Sequence, residues 1–308
     1  MYLKTSVLGL IAVLFIVTTC IYIRNGSPDY DTNVAFSNEV NTEKLIYNMV
    51  PKTGCTTLMS IIDKLDLRNN FSTFYEPNNY NPRLETPGSE LGYVFHINNV
   101  KGPLLFRRHT YFVDFNRYKE RMPLYINMVR DPLERQQSLY YYIRYFFPHK
   151  ILEDTIPLEE RRISLSKCME MNLKHCIKED GMIPYFCGNE EFCTYDKDKS
   201  LAKAKENIER HYQFVGISEE FNLTLIALEK IIPRFFAGAY GVYKDMKKDL
   251  NVSPSKNMRP SIDKRARIKI IDKLRHEYEL YYFIKQRFYA KLVQLNITPL
   301  QYLVQDID

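Results

Sequence analysis

The sequence has 308 residues, a hydrophobic content of 45%, a charged content of 26% and a net charge of +6 at pH 7. This length favours one folded domain over two large ones, and the composition is ordinary for a globular protein. The positive charge is modest and spread along the chain, so it suits an acidic partner without identifying one. The absence of tryptophan argues against a lectin-type aromatic platform.

The N-terminal segment is predicted to be a membrane anchor. Residues 5–23 form an uncharged run, which at 1.5 Å per residue spans roughly 28 Å, enough for a thin bilayer. The run is longer than the apolar core of a cleaved signal peptide and ends without a small-residue cleavage site. We therefore expect a cytoplasmic tail at residues 1–4, a transmembrane signal anchor at residues 5–23, a stem at residues 24–43 and a lumenal domain at residues 44–308.

The cysteines favour a lumenal location for that domain. Four of them lie within 26 residues, at Cys168, Cys176, Cys187 and Cys193. An even, clustered set is typical of two disulfides in an oxidising compartment. Zinc ligation is the alternative, although spacings of eight and six residues fit the usual C-x2-C ligand pairs poorly. Local pairing of Cys168 with Cys176, and of Cys187 with Cys193, would close the shortest loops.

Sequons for N-glycosylation give weaker support for the lumen, because such tripeptides often arise by chance. Apart from Asn25 in the predicted stem, the candidate glycosylation sites are Asn70, Asn222, Asn251 and Asn296. Proline follows closely after the last two and makes them weaker candidates.

The domain is predicted to begin with a strand, a small polar loop and a helix. Residues 44–50 are a strand-like apolar run, and residues 58–67 carry apolar side chains at helical spacing. Residues 68–92 are rich in Asn and Pro, which predicts a loop. A second strand–turn–helix unit is predicted at residues 123–147, where Pro132 suits the first turn of a helix.

Further helices are predicted at residues 201–211, 219–232 and 262–295, and a short strand at residues 212–217. The segment that contains the four clustered cysteines has no regular pattern and is predicted to be a cross-linked insertion. The alternation of strands and helices predicts an α/β domain with a central, mainly parallel sheet flanked by helices.

The first loop has the composition of a phosphate-binding loop. The helix that follows offers unpaired N–H groups and the positive end of its dipole. Lys52 adds a positive charge, Gly54 allows close backbone approach, and hydroxyl groups come from Thr53, Thr56 and Thr57. An ordinary polar turn is the alternative. The ATP-type loop G-x-x-x-x-G-K-[ST] is absent, so a triphosphate with magnesium is not expected.

The second unit offers residues for a second phosphate. Arg130 ends a predicted strand, where open α/β sheets bind ligands, and Ser138 follows about two turns into the next helix. A structural helix cap with an Arg–Asp pair is the alternative for Arg130 and Asp131.

These segments together resemble the uronyl 2-O-sulfotransferases, which include heparan sulfate 2-O-sulfotransferases and dermatan/chondroitin uronyl enzymes. The resemblance covers about residues 45–288. It rests on the motifs Val50-Pro51-Lys52-Thr53, Arg107-Arg108-His109-Thr110-Tyr111, Arg130-Asp131-Pro132 with Arg135 and Ser138, Ile183-Pro184-Tyr185-Phe186-Cys187-Gly188, Val215-Gly216-Ile217 with Glu219, and Pro233-Arg234-Phe235-Phe236. It implies a fold similar to P-loop kinases and the same local disulfide pairing.

The resemblance also implies a sulfuryl donor, 3′-phosphoadenosine-5′-phosphosulfate (PAPS), and no metal ion. Its 5′-phosphosulfate would be bound by Lys52, Thr53, Gly54, Cys55, Thr56 and Thr57, and its 3′-phosphate by Arg130 and Ser138. Further donor contacts would come from Tyr243, Ser255 and Lys256. Lys52 would stabilise the leaving phosphate, and His109 would be the catalytic base, for which it must be neutral. We expect the adjacent Arg107 and Arg108 to lower the pKa of His109.

The acceptor implied by the resemblance is an acidic polysaccharide, a glycosaminoglycan, and nucleic acid is not expected as a partner. A type II Golgi membrane protein is also implied, with a homotrimer as a further expectation because a trimer is known in the family. Arginine forks match carboxylates and sulfates, so the candidate acceptor contacts are Arg107, Arg108, Arg144, Arg161 and Arg162. A solvated charged face is the alternative for each of them.

Three residues depart from the family pattern. Met49 stands where the relatives have Arg, Arg107 where the heparan-type enzyme has a second His, and Cys55 where a small polar residue is usual. Because Cys55 begins a helix, we expect its thiol to have a lowered pKa and to be sensitive to oxidation. The departures leave open two alternatives, a catalytically weak binder of sulfated glycans and a sulfotransferase for another glycan or a glycoprotein. A P-loop kinase is a third alternative, which the missing ATP-type loop disfavours.

Overall fold

The computed structural model describes residues 40–77, 81–146, 156–177, 181–247 and 259–298. From Asn41 onward these residues belong to one compact unit. The predicted tail and anchor, and nearly all of the predicted stem, lie outside the described residues. Within the described ranges, no helix is long and apolar enough to cross a membrane.

The centre of the domain is a parallel β-sheet. The described residues contain five strands, β1 (Asn41–Asn48), β2 (Ser72–Tyr75), β3 (Leu104–Arg108), β4 (Pro123–Val129) and β5 (Tyr212–Ile217). They lie in the order β2-β3-β1-β4-β5, and every neighbouring pair is parallel. All seven residues of β4 are buried. Side chains alternate between the two faces of a strand, so both faces of the sheet are covered there, as in other parallel α/β sheets.

The helices in the described residues are α1 (Cys55–Asn69), α2 (Pro87–Asn99), α3 (Pro132–Phe146), α4 (Leu165–Glu170), α5 (Ile183–Cys187), α6 (Lys197–His211), α7 (Phe221–Ile231), α8 (Pro233–Phe236), α9 (Ala239–Lys247), α10 (Lys264–Lys273) and α11 (Arg275–Gln294). Short 3-10 turns lie at Phe115–Tyr118, Leu158–Glu160, Glu191–Thr194 and Ser218–Glu220. The predicted α/β architecture with a parallel sheet is therefore confirmed.

The main departures from the predicted elements fall between the two strand–loop–helix units. Residues 68–92, predicted to be a loop, contain β2 and the start of α2. Helix α2 begins with a capping box in which Thr86 pairs with Ser89, in place of the more recognisable Glu or Gln. Strand β3 was not predicted, because its five residues end in two arginines. The single helix predicted at residues 262–295 is two helices, separated at Leu274.

The predicted disulfides are confirmed. Cys168 is bonded to Cys176 and Cys187 to Cys193, with Cα–Cα distances of 5.6 and 5.8 Å. Because all four sulfur atoms are bonded in pairs, the zinc alternative for these cysteines is wrong. Cys168 and Cys176 belong to a buried cluster that also contains Ile270 of α10, so the first bridge lies beneath that helix.

The predicted glycosylation sites differ in exposure. Asn70, at the end of α1, and Asn296, after α11, are exposed, whereas Asn222 in the first turn of α7 is partly buried. Asn251 lies outside the described residues.

The strand order creates a crevice at the carboxyl ends of β1 and β4. The chain leaves β1 toward β2, on one side of the sheet, and leaves β4 toward β5, on the other side. Neighbouring parallel strands whose connections diverge in this way open a crevice that commonly binds ligands in α/β proteins. The loops after β1 and β4 border this crevice.

Two buried asparagines join these strand ends. Asn127 of β4 donates from Nδ2 to the main-chain oxygen and Oδ1 of Asn48, at 2.6 and 2.9 Å. Asn48 donates from its own Nδ2 to the main-chain oxygen of Tyr185, at 2.8 Å, and its Oδ1 accepts from the Tyr212 hydroxyl, at 3.0 Å. Both asparagines are at most 2% exposed. The network therefore fixes the end of β1 against β4 and α5.

We expect Asn127→Ala to lower the free energy of unfolding by about 2–4 kcal/mol, because it leaves several buried polar groups without partners. Tyr212→Phe, which removes one hydrogen bond and keeps the ring, should cost about 1 kcal/mol. Urea unfolding with the disulfides intact measures both. Equal, small losses for the two variants would contradict the assigned role of Asn127.

Candidate functional site

The loop between β1 and α1 presents backbone N–H groups at the start of a long helix. Lys52 and Gly54 have left-handed backbone conformations, with φ of 68° and 92°. Gly54 is the N-cap of the 15-residue helix α1, and among the described residues no side chain caps this end. Gly54 and Thr56 are exposed and Thr57 is partly exposed. A helix start of this kind favours an anion.

Thr53 and Cys55 face the inside of the loop. The Thr53 hydroxyl donates to the main-chain oxygen of Val50 at 2.8 Å, and the Cys55 thiol donates to the same oxygen at 3.0 Å. Both side chains are buried. A contact of either residue with an anion at the helix start would therefore come from its backbone.

Three cations lie close together beside the loop. Lys52 is half-buried, and its Nζ lies 3.8 Å from the centre of the Tyr142 ring. Burial lowers the pKa of Lys52 to about 8, and the Arg259 and Arg130 guanidinium groups contribute to the decrease. The charged form of Lys52 is thus disfavoured by its surroundings. An anion bound here would relieve the repulsion.

Ser138 belongs to the same cluster. It is 2% exposed, on α3, and its Oγ accepts a hydrogen bond from Nη2 of Arg259 at 3.2 Å. Arg259 was not predicted, because the sequence gives no sign that a residue 121 positions away contacts Ser138. Arg135, quoted above in a motif without a role, is buried and donates from Nε to the main-chain oxygen of Pro51 at 3.0 Å.

Asp131 is a helix cap, as the structural alternative proposed. Its Oδ1 accepts from the main-chain N–H of Glu134 at 3.1 Å, and its own N–H donates to Oε1 of Glu219 at 2.9 Å. The Arg–Asp pair of that alternative is not observed. Instead Arg130 pairs with Glu134 at 3.2 Å, at the edge of the crevice.

His109 follows β3 and contacts the first loop. Its Nδ1 lies 2.8 Å from the main-chain oxygen of Met49. With Nδ1 donating to that oxygen, the neutral ring carries its lone pair on Nε2. Burial lowers the pKa of His109, the hydrogen bond to Met49 opposes this, and the charge of Lys52 lowers the pKa further. The predicted decrease in the pKa of His109 is therefore confirmed. Its causes are burial and the charge of Lys52, not Arg107 and Arg108.

Arg107 and Arg108 have internal partners on elements next to β3. Arg107 is 5% exposed and its Nη1 lies 2.7 Å from Oδ1 of Asp63 on α1. Arg108 is partly buried and pairs with Glu76 at 2.5 Å. As acceptor contacts, both would have to leave these partners.

The other predicted acceptor contacts lie on and after α3. Arg144 is 6% exposed, lies 3.4 Å from the centre of the Tyr140 ring and donates to the main-chain oxygen of His175. Arg161 is partly buried and donates to the main-chain oxygen of Ile156, whereas Arg162 is exposed.

Tyr243 is close to the first loop through one intervening ring. Its ring centre lies 5.0 Å from that of Phe221, and a Cβ at Gly54 would lie 3.8 Å from the Phe221 ring. Ser255 and Lys256, the other predicted donor contacts of this region, lie outside the described residues. Among the residues that the structure describes, no group of three or more His, Cys, Asp or Glu side chains could hold a metal ion.

The expectation of an acidic thiol at Cys55 is wrong. Cys55 is 7% exposed, and burial raises the pKa of its thiol. The side chain points into the interior, toward the Val50 carbonyl and Tyr47. The loss of hydration therefore outweighs the effect of the helix dipole on the thiolate.

We expect Cys55 to react slowly with iodoacetamide in the native protein and rapidly after unfolding in guanidinium, because the thiolate is the reactive form and burial disfavours it. Mass spectrometry of the peptide that contains Cys55 measures both rates. Rapid alkylation in the folded protein would show that the thiol is exposed or acidic.

The all-parallel sheet, with an open helix start and a cation cluster at a crevice between diverging strands, defines an α/β protein whose candidate site suits an anionic ligand. A protein-family model with the description Sulfotransferase family matches residues 40–283 of the chain. The chain therefore belongs to the sulfotransferase family, which confirms the resemblance stated from the motifs.

Individual relatives of the chain also carry sulfotransferase names. The chain is 28% identical to uronyl 2-sulfotransferase of Mus musculus over 262 residues, which are 82% of this chain and 64% of that protein. The human uronyl 2-sulfotransferase gives 28%, with 80% and 62% covered. Heparan sulfate 2-O-sulfotransferase hst-2 of Caenorhabditis elegans is 30% identical over 290 residues, 85% of this chain and 86% of that protein. The chain thus spans less than two thirds of the uronyl 2-sulfotransferases it matches.

Proposed function

We propose that this protein transfers a sulfuryl group from PAPS to the 2-hydroxyl of a uronic acid in a glycosaminoglycan, either heparan sulfate or dermatan/chondroitin sulfate. The observation that carries the proposal is the convergence of Lys52, Arg130, Ser138 and His109 at the carboxyl ends of β1, β3 and β4. Family membership and the uronyl and heparan sulfate 2-O-sulfotransferases among the relatives support the reaction class.

The residues present fit a donor with two separate anionic groups. The open start of α1 and Lys52 would hold the 5′-phosphosulfate, and Arg130, Ser138 and Arg259 would hold the 3′-phosphate. The observation for this fit is that Lys52, Arg130 and Arg259 repel one another, with Glu134 as the carboxylate beside Arg130 and Arg259, so a bound anion would lower the repulsion. The donor, when bound, supplies the sulfuryl group.

His109 is suited to accept the proton of the acceptor hydroxyl. Its lowered pKa keeps the ring neutral near pH 7, and the Met49 carbonyl fixes the ring through Nδ1, so Nε2 is the basic nitrogen. Because this contact uses the backbone of residue 49, the Met49 departure from the family pattern leaves it intact. Lys52 stabilises charge that develops on the leaving phosphate.

We further propose that the domain faces the Golgi lumen, anchored through residues 5–23. The two disulfides support an oxidising compartment. An acidic polysaccharide acceptor agrees with the net charge of +6. The homotrimer expected from the resemblance stays a prediction.

The first test concerns the donor and uses adenosine 3′,5′-bisphosphate as the probe. Lys52 has a pKa of about 8 in the free protein, and a bound anion raises it. Binding at about pH 8.5 should therefore take up a proton, whereas binding at about pH 7.2 should take up close to none, since Lys52 is then already charged. Calorimetry in two buffers of different ionisation enthalpy measures the uptake.

The Lys52→Gln variant should abolish the proton uptake, and the exposed-site control Lys64→Gln should retain it. Proton uptake that survives in Lys52→Gln would remove Lys52 from the donor site.

The second test is transfer of labelled sulfate from PAPS to a panel of desulfated glycosaminoglycans, followed by disaccharide analysis. We expect label on uronate. His109→Ala should lower the rate by about 10²–10⁴-fold with binding of the bisphosphate retained, as for loss of a general base. The control His175→Ala changes an exposed histidine and should leave the rate unchanged. Because the pKa of His109 lies below its ordinary value of 6.5, the rate should fall only below that pH.

Three outcomes would contradict the proposal in different ways. Label on a glucosamine oxygen or nitrogen would overturn the 2-O assignment. Near-normal transfer by His109→Ala would remove His109 as the base. Binding of sulfated glycans by wild-type protein without any transfer would favour the alternative of an inactive glycan-binding member of the family.

A further inference from the structure

Helix α10 is an exposed, strongly basic element. Five of its ten residues are Lys or Arg, and the only acidic residue is Asp272. The helix buries only Ala266 and Ile270, so its charged side chains lie in solvent. These two side chains pack in the buried cluster around the Cys168–Cys176 bridge, and the accumulation of like charge on the rest of the helix opposes its folding.

Three of these cations form a line. Arg265, Lys269 and Lys273 are spaced four residues apart, which places them on one side of the helix about 6 Å apart along its axis. All three are exposed.

The line leads to a cavity of about 600 Å³. Lys273 and Arg275 lie on the wall of this cavity at the junction of α10 and α11, and Lys174 and Lys197, from other segments of the chain, also line it. These four cations are also exposed. We call the six residues Arg265, Lys269, Lys273, Arg275, Lys174 and Lys197 the basic track.

One residue of the cavity wall also contacts the first loop of the candidate site. Arg135 lines the cavity and donates a hydrogen bond to the main-chain oxygen of Pro51. The cavity that Lys273, Arg275, Lys174 and Lys197 line is therefore linked through Arg135 to the backbone of the loop that carries Lys52.

The cations of the track have no direct carboxylate partner in the part of the chain that the structure describes. Among the described residues, none of the six cations forms an ion pair. Two carboxylates line the cavity, those of Asp272 and Glu277. Glu277 accepts hydrogen bonds from the main-chain N–H groups of Met182 and Ile183, so it has partners of its own. A row of unpaired cations of this length fits a polyanion.

We propose that the basic track is a second binding surface for an acidic polysaccharide, which contacts sugar units beyond the one that reacts. The inference rests on the proposed function, since it takes the same polymer as its ligand. An anionic membrane is the competing occupant, because Ile268 and Ile271 are also exposed on α10. The disulfides favour the polysaccharide, because they indicate an oxidising compartment, whereas anionic lipids are concentrated in the cytoplasmic leaflet.

The test compares two triple variants of the full chain. The track variant carries Arg265→Gln, Lys269→Gln and Lys273→Gln, and glutamine maintains helix propensity. The control variant carries Lys64→Gln, Lys101→Gln and Arg234→Gln, which removes the same charge from exposed positions on other elements. The Michaelis constant for sulfate transfer is measured with a long desulfated polymer and with a tetrasaccharide of the same repeat.

We expect the track variant to raise the KM for the polymer about tenfold, from the loss of three exposed ion pairs. The KM for the tetrasaccharide and the kcat for both acceptors should stay unchanged, and the control variant should match the wild type throughout. An equal polymer KM in the track and control variants would overturn the proposal. So would loss of binding to phosphatidylserine/phosphatidylcholine vesicles in the track variant with an unchanged polymer KM, which would make a membrane the occupant.

Direct binding separates this inference from the proposed function. If the wild type transfers sulfate to no polymer in the panel, the proposed function fails. The basic track is then tested by measuring the affinity of each variant for labelled polymer by fluorescence anisotropy. Weaker binding by the track variant alone would support it. Equal binding by wild type, track variant and control variant would overturn it.

Discussion

The amide pair of Asn48 and Asn127 is the constraint on which the rest of the site depends. It joins β1 to β4 where their connections diverge, and it is shielded from water, so its hydrogen bonds meet no competition from solvent. The loop carrying Lys52 begins directly after Asn48, and Arg130 follows three residues after Asn127. The Met49 carbonyl that orients His109 lies next to the same pair. One buried network thus sets the positions of the anion loop, the second strand end and the base.

Lys52 connects the two halves of the proposed chemistry. Its charge belongs to the cluster with Arg130 and Arg259, which favours an anionic donor. Burial lowers the pKa of His109, and the charge of Lys52 lowers it further. The positive charge that favours the donor therefore adds to burial in keeping the base neutral. Cys55 behaves differently, because its burial prevails over that charge and the helix dipole.

The sequence predicted what depends on local pattern. The strands β1, β4 and β5 follow from apolar runs, and the helices after them from spacing, so the α/β class and the first loop could be read directly. Strand β2 has only four residues and β3 ends in two arginines, so neither gives a recognisable run. The role of His109 came from family resemblance alone. Arg259 and the Arg135–Pro51 contact depend on packing between residues far apart in the chain, which no local pattern encodes.

The bridge between Cys168 and Cys176 has a practical consequence. It lies in the buried cluster that supports α10, and Asp263, the N-cap of that helix, follows Arg259 by four residues. The reducing bacterial cytosol keeps thiols from forming such bridges, and a lost native disulfide typically removes about 2–5 kcal/mol from a small secreted domain. Protein prepared there would lack the support beneath α10. The choice of expression host therefore determines whether a negative assay reports on the enzyme or on its preparation.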